Sequence, residues 1–123
     1  MGRNGVARPV VLVVDDDRAI RLLCRLNLEL DGYDVREAPT IGDARAHLAT
    51  GDVAVVLLDM HVGRERGIEL LDELVAGEPR VPVAVVSGST DVHGPAYAHA
   101  DAVLAKPFTI EELTSTVGTL ASR

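Results

Sequence analysis

The sequence predicts an α/β domain, a five-stranded parallel sheet with helices on both faces. Three observations predict it. Five short apolar runs punctuate the 123 residues, and four of them are continuous rather than alternating, as in strands covered on both faces. Stretches with helical spacing separate the runs. The strand–helix order repeats five times, and such alternation builds a parallel sheet with right-handed crossovers.

The first run, Val10–Val14, is all aliphatic. Beyond it Ile20, Leu23, Leu26 and Leu30 share one helical face, and Gly32 stops that helix. Residues 34–38, around Val35, are more polar and predict an edge strand. Thr40 opens the second helix with Asp43 as a capping-box-like partner, Ala44 and Leu48 are its apolar positions, and Gly51 ends it. The third strand is expected at 53–58. Ile68, Leu71 and Leu74/Val75 mark the third helix, closed by Gly77 and Pro79. The fourth strand is expected at 83–86, and the segment 89–99 is the poorest helix candidate because Gly94-Pro95 interrupts it. A helix there is short or starts at Pro95. The fifth strand, at 102–105, leads to a Thr109/Glu112 capping box and an apolar stripe of Ile110, Leu113, Val117 and Leu120. Residues 1–8 read as a loose polar tail and 9–123 as one domain.

Composition narrows the function. Hydrophobic residues make up 47% and aromatics 2%, so valine, leucine and alanine fill the core. The net charge is -7, and the 12 basic residues are 11 arginines and one lysine, Lys106. An acidic chain without a basic tract is a poor direct nucleic-acid binder. A lone Cys24, set among apolar helix positions, excludes an intramolecular disulfide and reads as a small core residue. No apolar run approaches the roughly 18 residues of a membrane span, and Met1 to Pro9 hold no apolar signal segment, so a cytoplasmic domain is expected.

Ligand groups of an open parallel sheet collect beyond the C-terminal strand ends. The first strand ends on Asp15-Asp16-Asp17, the third on Asp59, the fourth on Ser87-Gly88-Ser89 and the fifth on Lys106-Pro107-Phe108. The second ends on Glu37-Ala38-Pro39, which reads as chemically idle. Taken singly each group has a bland explanation: Asp17 a helix cap, Asp15 and Asp16 caps or solvated acids, Ser-Gly-Ser and Lys-Pro turns. Taken together, clustered carboxylates repel unless a cation intervenes. Mg2+ (or Mn2+) suits oxygen donors that leave a position for phosphate. A lysine and a hydroxyl at the same edge suit phosphoryl oxygens. The physical reading is phosphoryl transfer onto an aspartate.

These residues resemble the CheY-like receiver domain of two-component response regulators. The resemblance is carried by Val-Leu-Val-Val-Asp-Asp-Asp at 11–17, Val-Val-Leu-Leu-Asp-Met at 55–60 with Gly67 eight residues after Asp59, Val-Ser-Gly at 86–88 and Ala-Lys-Pro-Phe at 105–108. It implies a flavodoxin-like, doubly wound sheet of order 2-1-3-4-5. It implies Asp59 as phosphoacceptor from a sensor histidine kinase or a histidine phosphotransfer protein. It implies Asp16 as direct metal ligand, Asp15 as a ligand acting largely through water, Asp59 as a ligand too, and the His61 backbone carbonyl as a further one. Ser87 is the implied switch hydroxyl and Lys106 the lysine that pairs with acceptor and phosphoryl, its bond to Pro107 expected cis. His61 and Ser89 are implied to tune the lifetime of the phosphoryl group. The implied protein is a phosphorelay signalling switch, not an enzyme beyond assisting its own phosphorylation and dephosphorylation. It is expected as a monomer or weak homodimer, with its effector unspecified.

The chain departs from that pattern in places. Val103 stands where the family usually has an aromatic residue coupled to the Ser/Thr switch, and Gly63 and Arg66 stand where proline and an acid are usual. Arg64 and Arg66 read as solvated charge, or as a partner-selecting contact or an attraction for phosphate. The rival function is a phosphorylation-independent receiver-like interaction module. An aspartate-nucleophile phosphatase fits less well, since Met60-His61 follows Asp59 where a second aspartate is needed. A dinucleotide site fits less still, since no glycine-rich turn follows the first strand.

Overall fold

The structure is a computed structural model that describes residues 8–63, 65–88 and 98–122, without the side chain of Arg66. The elements are β1 (Val10–Val14), α1 (Arg18–Leu30), β2 (Asp34–Ala38), α2 (Ile41–Leu48), β3 (Val53–Asp59), β4 (His61–Val62), β5 (Glu65–Arg66), α3 (Ile68–Ala76), β6 (Val83–Ser87), β7 (Ala102–Ala105) and α4 (Ile110–Ala121). The main sheet is parallel with order β2-β1-β3-β6-β7. With the two-stranded β4–β5 hairpin set aside, that is the flavodoxin-like order, and β2 lies at an edge as its polarity predicts. The expected helix within 89–99 falls largely outside the described residues, as do Ser89 and Arg64.

The continuous apolar strands β1, β3 and β6 are buried on both faces, whereas β7 corrects that expectation: it lies at a sheet edge, with Leu104 buried and Val103 and Ala105 exposed. Leu12, Val14, Val56, Leu58 and Val85 pack with Ile41, Ala44, Leu70, Leu71 and Leu74, so α2 and α3 cover one face. Val11, Val13, Val55, Leu57, Val86 and Leu104 pack with Cys24, Leu28, Leu113, Val117 and Leu120, so α1 and α4 cover the other. Cys24 is a small core residue, and burial, then the charge of Asp15, pushes its thiol up to about 12, which keeps it unreactive.

Local signals explain the helix boundaries. Asp17 caps α1 by accepting from the Ala19 and Ile20 N–H groups, and Thr40 caps α2 by accepting from Asp43 N–H. Thr109 and Glu112 form the complete capping box of α4. Gly32 and Gly51 follow their helices at φ 100° and 80°, where a Cβ would be strained.

The face expected for α1 is a correction. Leu23, Leu26 and Leu30 are exposed, Leu30 at 87%, and the buried stripe is Cys24 and Leu28 with Ile20 partly buried beside them. Leucines surround this helix, so periodicity alone leaves its rotation open. In the observed phase the Ile20–Cys24–Leu28 side faces the sheet, and Arg21 and Arg25 at its flank both reach Glu37 on β2. Ile110, at 39% exposure, likewise lies at the margin of the α4 stripe rather than in the core. Arg8, the last residue of the expected tail, donates to the carbonyls of Gly32 and Glu29 at the end of α1.

Candidate functional site

Parallel strands bring their C-terminal ends to one edge, and there the register juxtaposes Asp15, Asp59, Ser87 and Lys106. Asp15 follows β1 and is 2% exposed. All its polar groups are engaged. Its N–H donates to the Ala38 carbonyl at 3.1 Å, and its carbonyl accepts from Arg21 Nη1 at 2.8 Å. Its Oδ1 accepts from Asp17 N–H at 2.9 Å and its Oδ2 from Lys106 Nζ at 3.0 Å. Asp17, the helix cap, turns away toward α1, while the Asp16 side chain is exposed.

Asp59 is the last residue of β3 and is buried at 8% exposure. Its Oδ1 accepts from His61 N–H at 3.1 Å, and its Oδ2 lies 3.6 Å from Lys106 Nζ. Burial, reinforced by the Asp15 charge, raises the Asp59 carboxyl above its ordinary value, against the opposing pull of the His61 N–H and Lys106. For Lys106 burial acts downward, but Asp15 and Asp59 outweigh it, and the ammonium is held above its ordinary value.

Ser87 ends β6 and is buried at 2% exposure. Its carbonyl accepts Lys106 N–H at 2.9 Å, which sets the lysine beside it at the end of β7. The Lys106–Pro107 peptide is cis, as expected. Gly67 closes the loop after Asp59: its N–H donates to the Met60 carbonyl at 2.8 Å. A Cβ on Gly67 would lie 2.8 Å from the Asp59 carbonyl oxygen, so only glycine fits that approach. His61 is exposed in the β4–β5 hairpin, opposite Arg66.

Asp15, Asp16 and Asp59 each offer a carboxylate oxygen, and these lie within 4.8 Å of one another. Three carboxylates face one ammonium there. Hard oxygen donors at that spacing with an excess of negative charge fit a divalent cation such as Mg2+. Two residues of this site were not legible as such. Glu37, read as idle at the strand end, binds Arg21 at 3.1 Å and Arg25 at 2.6 Å, and Arg21 holds the Asp15 carbonyl. Their only sequence signal is a pair of arginines one helical turn apart, which is common on any exposed helix.

A family model described as the response regulator receiver domain matches residues 11–118. Response regulator MprA of Mycolicibacterium vanbaalenii is 34% identical over 116 residues, covering 92% of this chain and 50% of that protein. The C4-dicarboxylate transport transcriptional regulatory protein DctD of Rhizobium meliloti is 30% identical over 110 residues, covering 87% of this chain and 24% of that protein. The chain thus spans about half or less of the length of these curated relatives. Among solved structures, the receiver domain of the Francisella response regulator 1452 superposes with a TM-score of 0.84 at 31% identity, covering 94% of this chain and 98% of that one. Response regulator protein TrrA of Thermotoga maritima, solved in complex with Mg2+-BeF, gives 0.83 at 25% identity over 91% of this chain and 98% of its own. Among the described residues no helix is long and apolar enough to cross a membrane.

Proposed function

The chain belongs to the response regulator receiver family, a signalling domain of two-component systems, and from that premise we propose that it is a phosphoacceptor switch whose acceptor is Asp59. The observation that carries this reading is Lys106 Nζ held at 3.0 Å from Asp15 and 3.6 Å from Asp59, beside three carboxylates within 4.8 Å of one another.

The donor is a phosphohistidine of a sensor histidine kinase or a histidine phosphotransfer protein. A carboxylate oxygen of Asp59 attacks phosphorus, and the P–N bond breaks. Its electron pair returns to the imidazole, and an acyl phosphate forms on Asp59. Asp15, Asp16, Asp59 and the His61 backbone carbonyl would hold Mg2+ (or Mn2+), which would supply positive charge to the phosphoryl oxygens. Lys106 follows a phosphoryl oxygen with a compact charge on a flexible stem. The Ser87 hydroxyl donates to another oxygen. In dephosphorylation a water attacks phosphorus, the bond to the Asp59 oxygen breaks and inorganic phosphate leaves. In this reading His61 and Ser89 tune the lifetime of the phosphoryl group. The added charge of roughly one and a half to two units biases the surrounding loops toward an arrangement with altered partner binding.

A second reading, a phosphorylation-independent interaction module, draws support from Val103, which is 40% exposed and has no ring to swing. Incubation with acetyl phosphate and Mg2+ separates the two. A switch gains the mass of one phosphoryl group and loses that gain with a chelator. An interaction module gains none under either condition.

A further inference from the structure

Arg21 does something in this site that neither its position nor its residue type announces. Its side chain is only 12% exposed, and that of Glu37 only 23%. Its Nε donates to Glu37 Oε1 at 3.1 Å while Nη1 donates to the Asp15 carbonyl at 2.8 Å. Arg25, one turn on, takes the other Glu37 oxygen at 2.6 Å. Glu37 pairs with Val13 in the sheet, and the neighbouring Ala38 carbonyl accepts Asp15 N–H. Both main-chain polar groups of Asp15 are therefore tied to β2, one directly and one through the Arg21–Glu37 pair. The Asp15 carboxylate, carried on that held main chain, accepts from Lys106 Nζ and the Asp17 N–H.

We propose that Arg21, anchored by Glu37, is a positioning residue for the Asp15–Asp16 turn. It fixes the turn so that both carboxylates stand toward Asp59 at the spacing a divalent cation needs. The proposal rests on the reading of this edge as a cation site. Arginine suits the task because its planar fork presents Nε to Glu37 and Nη1 to the Asp15 carbonyl from separate, fixed positions, a preorganised geometry that lysine's flexible point charge lacks. Loss of a group that orients metal-binding side chains from behind typically costs about 10–100-fold in metal affinity. Arg25 is the internal control. It binds Glu37, Glu29 and the Val35 carbonyl, as a brace between α1 and β2, and makes no hydrogen bond to the acid turn.

The test uses the full chain with Mn2+ as probe, followed by titration calorimetry, and the amide exchange rate of Asp17 in metal-free protein. Arg21→Met is expected to weaken Mn2+ binding about tenfold, at the lower end of what loss of an orienting group does, and to speed Asp17 exchange. Arg21→Lys is expected to recover only part of the affinity. Arg25→Met is expected to lower Tm while leaving the affinity within about twofold of the parent, since it touches no group of the acid turn. Equal effects of Arg21→Met and Arg25→Met on affinity, or an Arg21→Met protein that folds and binds like the parent, would overturn the proposal. If Arg21→Met fails to fold, Glu37→Gln decides by the same two readouts, a loss relative to Arg25→Met supporting it and parity overturning it. If the parent itself takes no Mn2+, the cation-site reading falls. Asp17 exchange then decides the positioning claim alone: faster in Arg21→Met than in Arg25→Met supports it, and equal rates overturn it.

Discussion

Lys106 Nζ lies 3.0 Å from Oδ2 of Asp15, a residue 91 positions earlier in the chain. The amine sits on the same edge as the acid cluster and acts there as a resident cation. Lys106→Met removes it. The metal-free protein should then lose stability by about 1–2 kcal/mol, less than a fully buried pair would cost because the lysine is 26% exposed. The sign with pH follows from the raised amine. Its stabilisation is present below the ordinary value of 10.5 and is lost as pH rises past it, so the deficit should close in alkali. Divalent cation binding should strengthen, because a competing charge is gone. Calorimetric Tm and Mn2+ titration check both; weaker Mn2+ binding would contradict this role.

Asp59 carries a charge that folding alone does not favour. Its raised carboxyl contributes stability at low pH that is lost as pH rises through the folded value, so at neutral pH the ionised form opposes folding. Asp59→Asn should raise the Tm of metal-free protein at neutral pH by about 3–6 °C, a shift typical of roughly 1 kcal/mol at this size. The gain should shrink as pH falls into the carboxylate range. Added Mg2+ should narrow the gap from the other side, since it stabilises the parent by mass action and the variant less. Thermal melts at two pH values, with and without Mg2+, check the four corners.

Gly67 is placed by contact rather than by dihedral, since its φ is -71°. A Cβ there meets the Asp59 carbonyl oxygen at 2.8 Å and Met60 Cα at 3.1 Å, both backbone atoms that yield little. Gly67→Ala should cost about 1–3 kcal/mol, as overpacking does. It should also slow phosphoryl uptake by displacing the end of β3. Denaturant melts and the rate of mass gain with acetyl phosphate measure the two effects; a variant of parental stability would refute the close approach.

Val103, 40% exposed on β7, has no ring of its own to reorient. A phosphoryl mimic such as beryllofluoride should therefore shift amide resonances most at Asp15 to Asp17, Asp59 to Gly67, Ser87 and Lys106, and little at Val103 and along α4. Large shifts confined to the Val103–α4 face would contradict this.

Much of this architecture was legible in the residues, for identifiable reasons. Strands buried on both faces read as unbroken valine and leucine, and Thr109 with Glu112 announces the start of α4. The edge carrying Asp15, Asp59, Ser87 and Lys106 follows once the strands are parallel, because their C-terminal ends must meet. The rotation of α1 was not legible, since Leu22, Leu23, Leu26 and Leu30 offer a second apolar stripe, and the observed phase, with Arg21 and Arg25 on Glu37, shows itself only in contacts with β2. The part played by Glu37 was hidden for the same reason: it depends on a contact 16 positions away that no local pattern encodes.

The central claim is that Asp59, among the acids of this edge, becomes the acyl phosphate. An acyl phosphate is a mixed anhydride that borohydride reduces to an alcohol, whereas free carboxylates are untouched. Protein incubated with acetyl phosphate and Mg2+, then reduced and mapped by peptide mass, should carry homoserine at position 59 with Asp15, Asp16 and Asp17 intact. Homoserine at one of those three positions, or none in protein that had gained a phosphoryl group, would contradict the account.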